Sequence, residues 1–405
     1  MQRRDFLIRS LALGCSAAAS PMLTPVAFAE APWEGRLVVI ILRGAMDGLD
    51  AVRPYGDAEF AKLRGKLAGP NVGEADLEGF YGLHPALEPL RPLWNAGSLG
   101  FAHAVSTPYR DKRSHFDGQD LLEAGTVGLS GEGARDGWLN RLLQAVPGVS
   151  GKTAFALERD QMLLLRGKAP VNTWTPESDL NISPQAQRLI ELVHHDDPLF
   201  SGAVADAIGI ADSLELIDNP MTALEAQQLV RERAKEVGGS KGHLLLASFA
   251  AARLREEARI AAFSLNGWDT HRRQEKGIKG ALGRLSEVIG TLHQELGPEV
   301  WGKTTVLAMT EFGRTARING TEGTDHGTGS AMVMAGGALR GGQVWSDWPG
   351  LAEADLYAGR DLMPTRDVRA HAAWALRGMF GIEQAVLERD VFPGLDMGSD
   401  PRLIL

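Results

Sequence analysis

Short runs of branched and aliphatic residues recur along this chain, separated by longer stretches with helical spacing, and that alternation restricts the fold more than any other feature. The runs are Arg36 to Leu42, Ser98 to Val105, Arg259 to Leu265, Thr304 to Met309 and Ser330 to Ala335. Strands separated by helices predict a mainly parallel central sheet flanked by helices. Several runs are apolar at successive positions, Val38-Val-Ile-Ile-Leu42 above all, as strands covered on both faces should be. The predicted class is α/β. Between about 150 and 258 the pattern changes, with a strand pair predicted around Thr153 to Leu165 and helices after it. Ser183-Pro184 reads as an N-cap with proline at the first helical position, and Thr222-Ala-Leu-Glu225 spells a capping box. Residues 166–240 are therefore predicted to be a helical insertion on one α/β domain spanning 30–405. Gly238-Gly239-Ser240 serves either as its joint or as an interhelical loop.

The first 29 residues read as a removable address. Arg3-Arg4-Asp5-Phe6-Leu7 precedes an alanine-rich apolar stretch ending Ala27-Phe28-Ala29, the pattern of a twin-arginine signal with an A-x-A cleavage site. Arg9, Pro21 and Pro25 interrupt the apolar run, which argues against a stable membrane anchor. The expected location is the periplasm, reached in the folded state through the twin-arginine export machinery. The single cysteine, Cys15, lies inside this leader, so the remainder can form no internal disulfide and has no thiol nucleophile. The formal net charge is −9, and the leader itself is positive, so the exported part is more acidic still. Nucleic acid is not expected as a partner.

Three carboxylates fall just beyond predicted strand ends: Asp47 after Val38–Leu42, Asp269 after Ala261–Leu265, and Glu311 after Thr305–Met309. In open α/β sheets that edge is where ligands bind. His271 sits two residues after Asp269, and His326 follows Asp325 in Gly323-Thr-Asp-His-Gly327. Carboxylates and imidazoles converging from separate loops suit a divalent metal, Zn²⁺ or Mn²⁺ rather than Ca²⁺ or Mg²⁺. The expected ligands are Asp47, Asp269, His271, Glu311, Asp325 and His326. Asp47-Gly48 taken alone reads rather as ordinary turn chemistry, and Asp269, His271 and His326 are the foremost of these ligands.

Five ordered segments carry a family resemblance: Leu42-Arg-Gly-Ala-Met-Asp-Gly48, Arg113-Ser-His-Phe-Asp117, Gly267-Trp-Asp-Thr-His271, Glu311-Phe-Gly-Arg-Thr315 and Gly323-Thr-Asp-His-Gly327. Together they resemble the exported family called domain of unknown function 1501, which is grouped with the alkaline-phosphatase and sulfatase superfamily. The resemblance implies an alkaline-phosphatase-like fold with a metal centre between the strand ends, Asp47 matching the first aspartate and His326 the final histidine. Asp269 and His271 resemble the superfamily's Asp/His pair, but with one intervening residue instead of the usual three. Glu311-Phe312 falls where Asp-His is expected. One ion is therefore expected rather than two.

Ser114 precedes the helical run Phe116 to Ala124, where backbone N–H groups favour an anion, and is the expected nucleophile; the same position is also that of a simple N-cap. Arg113 and Arg314 are expected to clamp the oxygens of a phosphate-like group. Ser106-Thr-Pro-Tyr-Arg110 spells the start of a converted-serine sulfatase signature, but the remainder of that signature is missing. Two functions follow as expectations: a periplasmic metal-dependent hydrolase of phosphate or sulfate esters, acting on a small or envelope-derived anionic ester, or a non-catalytic binding or assembly protein on the same fold. Phe312 is the feature that favours the second.

Overall fold

A computed structural model describes residues 33–69, 75–130, 135–146, 148–157, 162–174 and 242–405. The leader, most of the 166–240 insertion, Ser183-Pro184, Thr222–Glu225 and Gly238–Ser240 lie outside the described residues. Nine strands of one sheet are described: β1 (Arg36–Arg43), β2 (Leu99–Ser106), β3 (Ala154–Leu157), β4 (Asn172–Trp174), β5 (Ile260–Asn266), β6 (Thr304–Met309), β7 (Ser330–Ala335), β8 (Val344–Trp345) and β9 (Arg366–Asp367). Their spatial order is β8-β2-β7-β6-β1-β5-β3-β4, with β9 also pairing β2. The longer helices are α1 (His115–Ala124), α2 (Trp138–Ala145), α3 (Gly242–Arg255), α4 (Gln274–Trp301) and α5 (Val368–Phe380). The protein is a mixed α/β fold built on a mostly parallel sheet flanked by helices.

β1 lies at the centre because both of its faces are apolar. Val38, Ile40 and Leu42 point into one core with α3 and α4, while Leu37, Val39 and Ile41 point into the other with α2 and α5. Its neighbours follow the same alternation, with Ile40 paired to Phe263 on one side and to Ala308 on the other. Helix α4 matches this surface with Ile278, Ala281, Leu282, Leu285, Ile289, Leu292 and Leu296, a helical stripe buried against the sheet.

Two details depart from the sequence reading. β7 runs antiparallel to both β2 and β6, so the sheet is parallel except for that strand. Of the strand pair predicted around Thr153 to Leu165, the described residues show one strand, β3; Leu163–Leu165 turns as a 3₁₀ helix, and β3 pairs in parallel with β4. Leu163-Leu-Leu165 lacks the alternation of a half-buried strand, and the return to the sheet comes only at Asn172, inside the segment expected to begin the insertion. Among the described residues no helix is long and apolar enough to cross a membrane.

Three histidines are locked into the interior as neutral groups. His103 Nε2 donates to the Val52 carbonyl at 2.9 Å, and its Nδ1 accepts from the Ala104 N–H at 2.8 Å, so an added proton on Nδ1 would face another donor. Burial pushes His103 and His84 down to about 4 and His371 to about 3. The unfolded chain takes up these protons near the ordinary value of 6.5, whereas the folded chain resists until far lower pH. Stability from these sites is therefore complete above about pH 6.5 and lost progressively towards pH 4. Urea midpoints measured across that window should fall by the equivalent of a few kcal/mol, on the order of 1 kcal/mol or more per histidine, and less in His103→Gln. A flat profile would contradict the neutral assignment.

Candidate metal centre

The loops that follow β1, β5 and β6 leave the same edge of the sheet, and the antiparallel course of β7 brings its leading residues to that edge as well. Asp269, Glu311 and His326 thereby meet, joined by His115 from the first turn of α1. His115, Asp269 and His326 each offer one ligand atom, and these atoms lie within 4.8 Å of one another, a group able to hold a metal ion. Asp269 Oδ1 stands 3.4 Å from His326 Nε2, 3.5 Å from His115 Nε2 and 3.0 Å from His271 Nε2.

What stands behind each ring decides which nitrogen faces inward. His115 Nδ1 faces Glu311 Oε1 at 2.8 Å, His326 Nδ1 faces the Arg113 carbonyl at 2.9 Å, and His271 Nδ1 faces Asp325 Oδ1 at 3.0 Å. All three partners only accept, so each Nδ1 carries the proton, and each Nε2 is the nitrogen left to offer a lone pair to the side where Asp269 stands. The consequence is visible in two places. His271 Nε2 and His326 Nε2 approach to 2.9 Å, a distance at which two lone pairs repel unless an electrophile lies between them. His115 Nε2 is buried without a hydrogen-bond partner. Ligands on a tetrahedral Zn²⁺ at about 2.0–2.1 Å lie roughly 3.3 Å apart, which matches this spacing.

The surrounding charges are set accordingly. Burial opposes ionisation of Asp269, but the Arg314 hydrogen bond at 2.9 Å and its positive charge outweigh it and hold the carboxyl below its usual range. The hydrogen bond to Glu311 raises His115, whereas burial lowers His326, and His115 and Arg314 nearby lower it further. Burial also works against Asp325, yet hydrogen bonds from His271 and from Asn319 Nδ2 keep it low.

The expected ligands thus separate by position. Asp269, His271 and His326 point to one centre; Asp325 stands behind His271, and Glu311 behind His115. Glu311 is fully buried, and its Oε1 also accepts from the N–H groups of Gly44 and Ala45 and from Gln119 Nε2. Asp47 is held elsewhere: both its oxygens take hydrogen bonds at 2.6 Å from the buried Arg64, and Gln274 binds one of them. Arg64 keeps that carboxyl ionised despite complete burial. Arg314 is buried too, with its guanidinium committed to Asp269 and to Thr324, so it aims a carboxylate rather than reaching a solvent-borne anion. Ser114 caps α1 through a long 3.4 Å bond from the Asp117 N–H, while Arg113, at φ 56°, extends an exposed side chain beside it. His115 escaped the sequence reading because it lies in a helix rather than at a strand end. Its signal was its place in Arg113-Ser-His-Phe-Asp117. Phe312, where the resemblance puts a histidine, is a buried wall stacked on His115 with ring centroids 5.2 Å apart.

The family model described as "Protein of unknown function (DUF1501)" matches residues 94–388, which include every element of this centre except the loop after β1. The chain belongs to the DUF1501 family. No curated protein matches this DUF1501 chain in sequence. Among solved structures it is similar to the lipoteichoic acid synthase LtaP from Listeria monocytogenes, at 9% sequence identity, covering 91% of this chain and 78% of that one with a TM-score of 0.38.

Tight backbone passages hold the centre together. Gly44 has φ 119°, and a Cβ there would stand 2.7 Å from the Asp269 nitrogen. Gly44→Ala should therefore destabilise the protein by about 1–3 kcal/mol through the strained φ and the clash combined. A thermal melt indistinguishable from wild type would show that the β1 loop does not press on Asp269.

Proposed function

We propose that this chain is a periplasmic hydrolase of phosphate or sulfate esters that depends on one divalent metal ion, exported by the twin-arginine route. The observation that carries the reading is the set of three imidazoles, each with a proton acceptor behind its Nδ1 and each turning Nε2 towards Asp269. Such outer partners orient metal-binding histidines in general. Three nitrogens and a carboxylate suit Zn²⁺ or Mn²⁺ better than Mg²⁺ or Ca²⁺, which favour all-oxygen sets.

In this reading His115, Asp269, His271 and His326 hold the ion, which when bound supplies Lewis acidity to an ester oxygen. Arg314 keeps Asp269 charged and aimed. Ser114 stands at the N-terminus of α1, where backbone N–H groups favour developing negative charge, and its weak cap leaves the hydroxyl able to turn. Its Oγ attacks phosphorus or sulfur, the alcohol leaves with a proton, and water releases the acid from the serine. Arg113, exposed beside it, meets the anionic oxygens of the substrate. A second reading, a non-catalytic binding protein, is favoured by Phe312 alone.

Metal analysis and turnover on aryl phosphate and aryl sulfate separate these readings. His326→Ala should strip most of the metal, and Glu311→Gln should weaken metal binding about 10–100-fold by disturbing the acceptor behind His115. Ser114→Ala should retain metal and fold, with a cap loss on the order of 1 kcal/mol, and lose turnover. Metal in wild type without turnover on any ester supports the non-catalytic reading; equal metal in wild type and His326→Ala removes the centre itself.

A further inference from the structure

The stripe that α4 buries against the sheet runs through Ile278, Ala281, Leu282 and Leu285, and one turn before Ile278 the same face carries Gln274, which has no exposed surface. Its neighbours Arg272, Arg273, Glu275 and Lys276 are all exposed. Arg273 makes the turn into the helix in the left-handed region, at φ 46° and ψ 50°, which is uncommon for a residue with a side chain. A position that a leucine would fill in an ordinary amphipathic helix thus holds a primary amide.

Both ends of that amide are fully engaged. Nε2 donates to Asp47 Oδ2 at 2.6 Å and to Asp50 Oδ2 at 3.0 Å. Oε1 accepts from the Thr270 hydroxyl at 2.9 Å and from the Thr324 hydroxyl at 2.5 Å. The two carboxylates are paired with Arg64 and Arg53 and only accept, which fixes the end of the amide that faces them. Thr324, having given its proton to Gln274, accepts from Arg314 Nε at 3.3 Å, and Arg314 Nη1 donates to Asp269 Oδ1 at 2.9 Å. A chain of hydrogen bonds, each with one possible donor, therefore runs from Asp47 and Asp50 to a carboxylate of the metal centre. Asp47, Asp50, Gln274, Thr324 and Arg314 are all buried.

Two loops that carry expected metal ligands end on this amide. Thr270 stands between Asp269 and His271, and Thr324 stands two residues before His326. The Thr324 N–H also donates to the Thr270 carbonyl at 3.2 Å, so the loops touch where Gln274 meets them. Packing alone would be served by an apolar side chain at 274. Such a side chain would leave two carboxylates and two hydroxyls each short of a partner in a site closed to water, and the loops would shift to find others.

We infer that Gln274 is a positioning residue of the metal centre: through Thr324 and Arg314 it sets where Asp269 stands, and through Thr270 and Thr324 it holds the His271 and His326 loops against each other. The inference rests on the metal-centre reading for what those loops carry, but its effect on the loops is measurable without metal. The test compares the full chain with Gln274→Met, Thr324→Val and the double variant, by zinc affinity in competition with a chelator and by amide hydrogen exchange of the metal-free proteins. Each single substitution should weaken zinc binding by about 5-fold or more, below the roughly 10–100-fold typical of a group that touches the ligand itself. The double variant should bind no more weakly than the worse single one, because both break the same chain. Without metal, residues 269–273 and 322–326 should exchange faster in Gln274→Met while β1, β5 and β6 exchange as in wild type. Gln274→Asn, which keeps the amide but shortens its reach, should show smaller losses of the same kind and serves if the methionine variant folds poorly. Unchanged zinc affinity, additive losses in the double variant, or exchange that rises equally across the sheet overturns the inference. If wild type binds no zinc, faster exchange confined to the two loops upholds the positioning role and sinks the metal centre alone, whereas unchanged loops overturn both.

Discussion

The buried carboxylate of Glu311 is the interaction on which the rest of the centre depends. Placing an ion there costs several kcal/mol of hydration, and the chain offsets it with hydrogen bonds to one charged oxygen from Gly44, Ala45, Gln119 and His115, each worth about 1.5–3 kcal/mol. Those donors come from the loop after β1 and from α1, while Glu311 itself follows β6. One side chain therefore fixes three elements against each other. It also decides the tautomer of His115, and with it the direction in which a lone pair points. Removing the charge would loosen the loop and release the ring together.

A second constraint is the direction of β7. Parallel strands deliver their following loops to one edge, and an antiparallel strand delivers its preceding loop to that same edge. His326, four residues before β7, consequently faces Asp269, three residues after β5. Had β7 run parallel, the Gly323–Gly327 loop would lie at the far side of the sheet. The two glycines of that loop allow it to pack closely, since a Cβ at Gly323 would stand 2.3 Å from the His271 carbonyl carbon and one at Gly327 2.3 Å from that of Arg314.

The central strands were legible because continuous apolar runs leave few alternatives: β1, β2, β5, β6 and β7 all stand where branched and aliphatic residues cluster. Strand direction was not, since a buried strand reads alike either way and only the loops around Ser330 carry the difference. At the site, strand-end logic put Asp269, His271 and His326 ahead of Asp47 as ligands, but it kept Asp47 in the set because a sequence does not show which partner a strand-end carboxylate takes. Asp47 lies at an equivalent strand end, and only the distant Arg64, whose hydrophobic neighbours Phe60 and Leu63 gave no hint of its partner, draws it into a separate ion pair. Arg314 was read as a clamp for an anion because a sequence shows charge but not burial. His115 was missed for the converse reason, as helix starts attract capping explanations before chemical ones.

The account stands on a single metal position defined by His115, Asp269, His271 and His326, and anomalous diffraction from crystals of the purified protein, collected across the zinc and manganese edges, locates it directly. The predicted result is one peak about 2.0–2.2 Å from Nε2 of the histidines and from an Asp269 oxygen, with Glu311, Asp325 and the Arg113 carbonyl still behind the rings. A peak bound instead by Asp47, or metal-free density with these rings turned so that Nδ1 faces Asp269, would contradict it.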